Sequence, residues 1–523
     1  MSSSIEPHLH DAPSEVTADE YVGRRVAKSA AWMVMKRFFF KSVGLISTLI
    51  LVRILAPEAF GLAAIASVAF DVLDVMTEFS LVLALVKMKN PTRAHFDTAW
   101  TLLVMRGFLI GALMYVAAPF VADFMNEPRL VDITRVLALL PVVQGFESVG
   151  LIYFRLELRF DRIFWYEVTG KLIGFAMVIP AAFILQNAWA VVIGYLGPKF
   201  IMIPISYWMH PYRPRPSLAA FGELFNFSKW LLATNVLALF RDYTIVLLLG
   251  KIGGPSATGL YQQAWQIAAL PASEIAAPIR QPMYSGYAKV LGDMARLRQQ
   301  AVDGLSLMLM IVTPLSVGLA LTADWIQPIA LGPKWVGAAP LIQICALYAL
   351  VEAVGEFTHN IYVVLDRQKR YVGIMALTIL IRTGFVIWAG INHGILWAAA
   401  AMALTSVFSS GLWFFQVTYI IHLSLRKMFA QTWRTGLATL IMIGGVLYLQ
   451  TLWPQSAETG AMFVQFAAQV AGGGILYIAA ILTLWRLSGR PGGPENHALL
   501  IVGHTLPRLG RLIGVTRTFS AAK

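Results

Sequence analysis

The sequence predicts an all-α integral membrane protein of about fourteen transmembrane helices. It predicts two six-helix lobes in parallel repeat around a central cavity, with two peripheral helices at the C-terminus. Three observations predict this fold: a low charge content, an alternation of basic connectors, and an internal repeat. Of the 523 residues, 58% are hydrophobic and 13% are charged, whereas about 25% of an average globular chain is charged. A chain with so little polar surface is expected in a membrane.

Apolar segments that are long enough to cross a bilayer recur along the chain, since about 20 helical residues span the hydrocarbon core. The first six predicted spans cover 29–54, 61–86, 100–121, 131–153, 164–186 and 188–209. The next eight cover 224–249, 257–285, 303–326, 338–364, 371–391, 394–421, 434–453 and 462–485. They define a cytoplasmic N-terminal tail (1–28), an N-lobe (29–210), an inter-lobe cytoplasmic linker (211–223), a C-lobe (224–422), spans 13 and 14 (423–486), and a basic cytoplasmic C-terminal tail (487–523). No signal segment with a cleavage site follows the N-terminal tail, so we expect it to be retained.

The basic residues orient the chain, because cytoplasmic loops hold an excess of Lys and Arg. The even-numbered connectors and the two tails hold 26 of the 41 basic residues, whereas the odd connectors hold only Arg53, Arg129, Lys251 and Lys334. This alternation predicts that both termini are cytoplasmic. The net charge of +13 therefore reflects topology and does not indicate a nucleic-acid partner. We expect the basic C-terminal tail to be solvated or to face lipid.

An internal repeat relates the two sets of six spans. Residues 53–62 and 251–260 share the pattern basic-Ile-x-x-Pro-x-x-x-Gly-Leu at an offset of 198 positions. Shorter matches follow in the same order at offsets of 201 and 209. Because each unit has an even number of spans, the two copies have the same orientation in the membrane, as in transporters with parallel repeats. Spans 13 and 14 have no counterpart and are expected at the periphery.

Eleven cations and ten acids fall inside the predicted spans. Eleven lipid-facing cations would cost about 33 kcal/mol, more than the roughly 5–15 kcal/mol by which folds are stable. Most must therefore face a partner or a hydrated interior. The acids include seven candidates for ion coupling or for structural pairing: Asp71, Asp74, Glu78, Glu147, Glu274, Glu352 and Glu356.

The spacing of these charges leaves a structural and a functional interpretation open. Asp71, Asp74 and Glu78 form one acidic stripe on span 2, and the basic residues of span 1 would pair with it as a buried clamp. In the same way, Glu167 would pair with Lys171 one turn later. The functional alternative is a hydrated, charge-lined cavity between the lobes, with cations for an anionic substrate and acids for a coupling ion. Span 8 adds three prolines, Pro271, Pro278 and Pro282, which bend a helix and suit a gate.

Motifs for other chemistry are missing from the sequence. It has no Walker A sequence, no HExxH motif and a single cysteine, Cys345, so ATP hydrolysis, zinc catalysis and a cysteine metal cluster are not expected. The prediction is a transporter without a cofactor, with H⁺ or Na⁺ open as a coupling ion.

Four segments resemble a known family. They are LVRILAPEAFGL (51–62), FRLELRF (154–160), GLYQQAWQIAALP (259–271) and ADWIQPIALGPKWVGAAPLIQ (323–343). The chain resembles the polysaccharide transporter family of Wzx-type lipid-linked oligosaccharide flippases over about residues 25–425. The superfamily also holds the MATE exporters and the lipid II flippase.

The resemblance implies a multi-pass flippase of the bacterial inner membrane. Its substrate would be an undecaprenyl-diphosphate-linked repeat unit for exopolysaccharide, capsule or O-antigen (lipopolysaccharide) synthesis. Its partners would be membrane lipids and, further on, a polysaccharide polymerase and export machinery. Cavity cations would attract the diphosphate or sugar acids, and helix position makes six residues the candidates: Lys36, Arg37, Lys41, Lys229, Arg241 and Arg280.

Three alternatives stay open. A MATE-like cation-coupled small-molecule exporter would have an acidic cavity with few cations, whereas span 1 carries three. A membrane glycan polymerase or glycosyltransferase has no reason to possess a parallel lobe repeat. A scaffold without transport would leave the costly intramembrane charges without a purpose.

Overall fold

The computed structural model describes residues 18–77, 85, 88, 91–276, 283, 286, 287, 289–456, 458–496 and 499. Within these ranges, the side chains of 18–31, 34, 224–238, 240–242, 275, 276, 368 and 369 are not described. The chain divides into two compact units, Met1–Leu55 with Ala66–Val236, and Ala56–Ile65 with Leu237–Lys523. The ten-residue segment Ala56–Ile65, at the start of the predicted second span, therefore packs with the C-terminal part of the chain.

Helices form the described part of both units. The helices that start before residue 221 are α1 (Ala18–Ile54), α2 (Pro57–Met76), α3 (Arg93–Met125), α4 (Leu130–Leu137), α5 (Leu139–Gly145), α6 (Leu151–Leu156), α7 (Phe160–Leu185) and α8 (Ala188–Met209). The later ones are α9 (Phe221–Ala268), α10 (Met294–Leu321), α11 (Ala323–Ile326), α12 (Ala338–Val364), α13 (Gln368–His393), α14 (Ile395–Ile420), α15 (Leu425–Leu452) and α16 (Thr459–Leu487). Two π-helical segments, Pro271–Ala276 and Gln327–Leu331, and a 3₁₀ turn, Pro333–Trp335, complete the described elements.

Ten of the described helices are long and apolar enough to cross a membrane, and the chain is a multi-pass membrane protein. The predicted spans 188–209 and 338–364 coincide with α8 and α12. Span 4 is instead broken into α4, α5 and α6, and spans 7 and 8 are joined as α9 with a kink at Gly254, whose φ is +71°. The total of fourteen spans stays a prediction.

Local capping explains where several helices begin. Asn187 accepts a hydrogen bond from the Trp189 backbone N–H at the start of α8, and Asp293 does the same for Ala295 and Arg296 at the start of α10. Short polar side chains at these positions satisfy the first N–H groups of a helix, which have no partner within the helix. The α7–α8 connection is therefore a tight turn.

In the first unit, α1 packs on α7, α7 on α8, and α3 on both α4 and α5. The segment after α8, in the predicted inter-lobe linker, is held against α3 by polar contacts. The Asp97 carboxylate on α3 accepts hydrogen bonds from the Tyr212 hydroxyl at 2.5 Å and from the Arg215 backbone N–H at 2.9 Å. Thr101 and Thr98 accept the backbone N–H groups of Ser217 and Ala220. The linker is thus anchored as far as Ala220.

In the second unit, α12 packs on α10 and α14, α13 on α14, and α15 on both α10 and α16. A hydrophobic cluster that includes Met310, Met442 and Tyr477 joins α10, α15 and α16. The Tyr477 hydroxyl donates to the Met310 carbonyl oxygen at 2.6 Å. The predicted last two spans are therefore docked on α10 by both apolar and polar contacts.

Candidate functional site

The basic face of α1 is the first part of the candidate site. Lys36 lies on the side of α1 that meets α7, where Trp32 and Phe39 contact the Phe164 ring at centroid distances of 4.8 and 6.5 Å. This packing brings the Lys36 ammonium to 2.8 Å from the Glu167 carboxylate. Arg37 and Lys41, one helical turn apart, are exposed. One of the three predicted cations is thus neutralised by an ion pair within its unit, while two lie on the exposed surface of α1.

Two ion pairs of the first unit join residues that the sequence did not pair. Glu167 pairs with Lys36 on α1, where Lys171 was the expected partner. Asp74 on α2 pairs with Arg106 on α3, and the pairing of the acidic stripe with the cations of α1 stays a prediction. The physical reason is the helix packing, because α1 lies against α7. Sequence spacing within one helix could not reveal these partners.

Arg106 forms a network with the end of α2. Its guanidinium donates to the Asp74 carboxylate at 2.7 Å and to the Asp74 carbonyl oxygen, and its Nε donates to the Thr77 hydroxyl at 3.1 Å. The Thr77 hydroxyl in turn donates to the Leu73 carbonyl oxygen at 2.6 Å. Charge-assisted bonds of this kind hold both helices in one arrangement. The sequence marked Arg106 as an intramembrane cation but did not identify its partners.

Three other candidate acids accept hydrogen bonds from hydroxyl groups. Tyr166 on α7 donates to the Glu147 carboxylate at 2.8 Å, and Ser406 on α14 donates to Glu352 on α12 at 3.0 Å. Ser273 donates to Glu274 at 2.9 Å inside the first π-helical segment. Asp71 on α2 and Glu356 on α12 are half-buried. Hydroxyl donors satisfy a buried carboxylate without adding a second charge.

Several predicted residues cannot be placed. Glu78 and Arg280 lie outside the described residues, as do the side chains of Lys229 and Arg241 on α9. Of the three prolines of predicted span 8, Pro271 begins the first π-helical segment, and Pro278 and Pro282 lie outside the described residues. These assignments stay predictions. Within the described part of the chain, no three His, Cys, Asp or Glu side chains converge to hold a metal ion.

The two copies of the repeat motif meet inside the second unit. We call this contact the repeat crossing, formed by Pro57–Gly61 and Pro255–Gly259. A Cβ added at Gly61 would overlap the Pro255 carbonyl oxygen, and one added at Gly259 would overlap the Pro57 carbonyl oxygen. The contact is therefore reciprocal: each glycine faces the backbone of the other copy's proline. The sequence identified both motifs as copies but did not predict that they touch.

A family model described as Polysaccharide biosynthesis protein matches residues 50–340, more than half of the chain. The chain belongs to the polysaccharide biosynthesis protein family. This confirms the resemblance found in the four sequence segments, two of which hold Pro57, Gly61 and Gly259 of the repeat crossing.

Relatives and solved structures agree with this family. The family member is 24% identical over 335 residues to the lipopolysaccharide biosynthesis protein WzxC of Escherichia coli (strain K12), covering 63% of this chain and 68% of WzxC. Its fold is similar to the lipid II flippase MurJ in an inward closed conformation, with a TM-score of 0.70 at 14% identity over 87% of this chain and 98% of MurJ. It is also similar to a multidrug resistance MATE family transporter in an inward-facing conformation, with a TM-score of 0.56 at 14% identity over 73% and 94% of the two chains. The two structures establish the fold alone.

Proposed function

We propose that this family member is a flippase for undecaprenyl-diphosphate-linked oligosaccharide repeat units in the bacterial inner membrane. It would act by alternating access in exopolysaccharide, capsule or O-antigen synthesis, as a transporter and not as an enzyme. The family match, the similarity to WzxC and the fold shared with MurJ support this proposal. Both termini lie in the cytoplasm, since the 26 basic residues of the predicted cytoplasmic segments favour that side.

The observation that carries the proposal is the pair of exposed cations on α1. Arg37 and Lys41 are exposed and lie within a predicted span, where a charge is costly unless it faces a hydrated surface or an oppositely charged group. A diphosphate carries about two negative charges, which two cations one turn apart can match. An arginine also binds phosphate oxygens through two parallel N–H groups. The lipid diphosphate is therefore the part of the substrate that these residues would receive.

The repeat crossing supports alternating access. In that mechanism, equivalent parts of the two repeats approach on one side of the membrane and separate when that side opens. The crossing is made where each glycine meets backbone, so it needs no interlocking of side chains at those points. Contacts through small residues let helices approach closely in membranes. Such a contact can form and separate without repacking a side-chain core.

The coupling ion is open between a proton and sodium, and coupling itself is a proposal. Asp71 is the candidate to test, because it lies half-buried on α2 within the predicted acidic stripe. If Asp71 couples transport to an ion, Asp71→Asn should remove the dependence of transport on one imposed gradient in proteoliposomes. An unchanged dependence would favour a structural role for Asp71.

A MATE-like exporter is the second candidate, because the fold is also similar to a MATE transporter. The cations of α1 argue against it, since a surface with Arg37 and Lys41 repels cationic drugs. The downstream partners of the flippase would be a polysaccharide polymerase and export machinery, which consume the translocated unit.

Deletion of the gene tests the function. The flippase proposal predicts that an envelope glycan disappears and that its lipid-linked repeat unit accumulates in the cytoplasmic leaflet, with both effects reversed by the wild-type gene. Unchanged glycans together with greater sensitivity to cationic drugs would support the exporter. The matched control is a strain that expresses the variant Arg296→Ala, which changes an exposed side chain at the start of α10. This strain controls for the expression level of the protein.

A further inference from the structure

A groove on the surface of the first unit lies where α3 meets α4 and α5. It encloses about 490 Å³. Phe108, Gly111 and Tyr115 line it from α3, and Arg135 and Leu139 line it from α4 and α5. The groove lies at the break in predicted span 4, where Ala138 separates the two short helices.

The Arg135 guanidinium is the positive charge in the lining of this groove. It lies over the Tyr115 ring, with 4.8 Å between the guanidinium carbon and the ring centroid. Its Nε is buried and has no hydrogen-bond partner among the described residues. An arginine keeps its charge, and a buried donor without an acceptor is costly. An anionic oxygen in the groove would satisfy this donor.

The rim of the groove shows which environment supplies that oxygen. Phe108 and Tyr115 are 53% and 55% exposed, and Leu139 is 47% exposed. In a membrane protein, large apolar side chains at the surface of a span face the lipid. Arg135 is five residues from the first residue of α4, about 8 Å along the helix axis, so it lies near the end of its span. The oxygen at that depth is a lipid phosphate, because dissolved anions do not enter an apolar groove.

The surrounding charges indicate the type of headgroup. Asp132 is exposed one turn before Arg135 on α4, and the nearby Arg129 and Glu127 neutralise each other at 2.7 Å. On α4 itself, a negative group thus lies about 4.5 Å along the helix axis from a positive one. This pattern complements a headgroup that carries both a phosphate and an ammonium group.

We propose that the groove between α3, α4 and α5 binds one zwitterionic glycerophospholipid. Its phosphate accepts hydrogen bonds from Arg135, its ammonium group lies toward Asp132, and an acyl chain occupies the apolar groove past Phe108. The site lies on the outside of the first unit and does not depend on the proposed transport function. The bound lipid would fix the broken helix against α3.

Native mass spectrometry of the full-length protein tests the site, with phosphatidylethanolamine and phosphatidylglycerol of identical acyl chains as probes. The wild-type protein should retain one more phosphatidylethanolamine molecule than Arg135→Gln, whose dissociation constant should rise at least about tenfold, because hydrogen bonds to a charge are lost. The matched control Arg129→Gln, at an exposed and paired arginine near the same helix, should change binding by less than about twofold.

Two further variants keep the test decisive if Arg135→Gln fails to fold. Ala112→Trp fills the groove from an exposed position while keeping Arg135, and it should also lose the lipid. Asp132→Asn should remove the preference for phosphatidylethanolamine over phosphatidylglycerol. Wild-type lipid retention in folded Arg135→Gln or in Ala112→Trp would overturn the site. Equal or tighter binding of phosphatidylglycerol by the wild-type protein would overturn the zwitterionic assignment.

Discussion

The α1 cations and the buried arginine of α15 place the same type of charge in opposite environments. On α1, Arg37 and Lys41 are exposed within a predicted span. On α15, Arg434 makes a bidentate ion pair with Glu495 at 2.6 and 3.1 Å, and the side chains are only 3% and 2% exposed. The buried pair holds α15 and the segment after α16 together, whereas for the exposed cations of α1 we propose contact with the diphosphate of the substrate.

The Arg434–Glu495 pair should give the largest stability effect. Arg434→Ala leaves Glu495 as a buried, uncompensated charge, which costs about 3–5 kcal/mol. We expect a strong fall in melting temperature and in membrane abundance, with transport lost only in proportion to abundance. Thermal unfolding and quantitative blotting of the same membranes measure both. Replacing both partners, as Arg434→Met with Glu495→Leu, should recover most of the loss; an equally unstable double variant would show that the pair is not the cause.

We expect the second largest loss of stability from substitutions at the repeat crossing. Gly61→Ala and Gly259→Ala each place a methyl group on a backbone carbonyl, and overpacking of this kind typically costs about 1–3 kcal/mol. Because the contact is reciprocal, the two variants should be destabilised to a similar extent, and the double variant should cost less than the sum.

Gly444→Ala on α15 is the control for the crossing, since a Cβ there meets nothing within 4 Å. It should be neutral or slightly stabilising in a thermal unfolding assay, because alanine is the better helix former. Fully additive effects of the two crossing glycines would contradict a shared contact.

The Arg106–Asp74 pair is expected to have a smaller effect. Its side chains are 17% and 35% exposed, so water screens the pair in part, and we expect a coupling energy of about 1 kcal/mol. A double-mutant cycle with Arg106→Gln and Asp74→Asn measures it. A coupling energy near zero would leave Asp74 without a structural role and would return it to the ion-coupling candidates.

The smallest predicted effect is a pH dependence at the anchored linker. Burial lowers the pKa of His210 below its ordinary value of 6.5, and its ring stacks on Tyr153 at 5.0 Å. The folded protein then binds fewer protons than the unfolded chain, so stability rises with pH and is lost as the pH falls below about 6.5. His210→Phe should flatten the change in melting temperature between about pH 7.5 and 5.5. An unchanged slope in His210→Phe would contradict this assignment.

The sequence could predict the helical membrane fold because the hydropathy of a segment indicates directly whether lipid or water surrounds it. The predicted spans 188–209 and 338–364 have the same bounds as the observed helices α8 and α12. The repeat was identified from a proline and a glycine at the same spacing in both motifs. The sequence could not predict the break at Ala138, because apolar composition continues through it.

The partners of individual charges were beyond the sequence for a different reason. Lys36 with Glu167 and Arg106 with Asp74 each join two different helices, and only tertiary packing decides which faces of those helices meet. Arg434 lies at the start of predicted span 13, and nothing in the local pattern marks a partner 61 positions later. Spacing within one helix therefore identified candidate faces but not ion pairs.

Transport by the purified protein in proteoliposomes tests the central claim most directly. The probe is undecaprenyl diphosphate that carries a short labelled oligosaccharide, and the readout is its movement between leaflets. We predict that Arg37→Ala with Lys41→Ala reduces the rate at least about tenfold at an unchanged melting temperature, while Arg37→Lys with Lys41→Arg retains most of it. A wild-type rate in the double alanine variant would contradict the assignment of the α1 cations to the diphosphate.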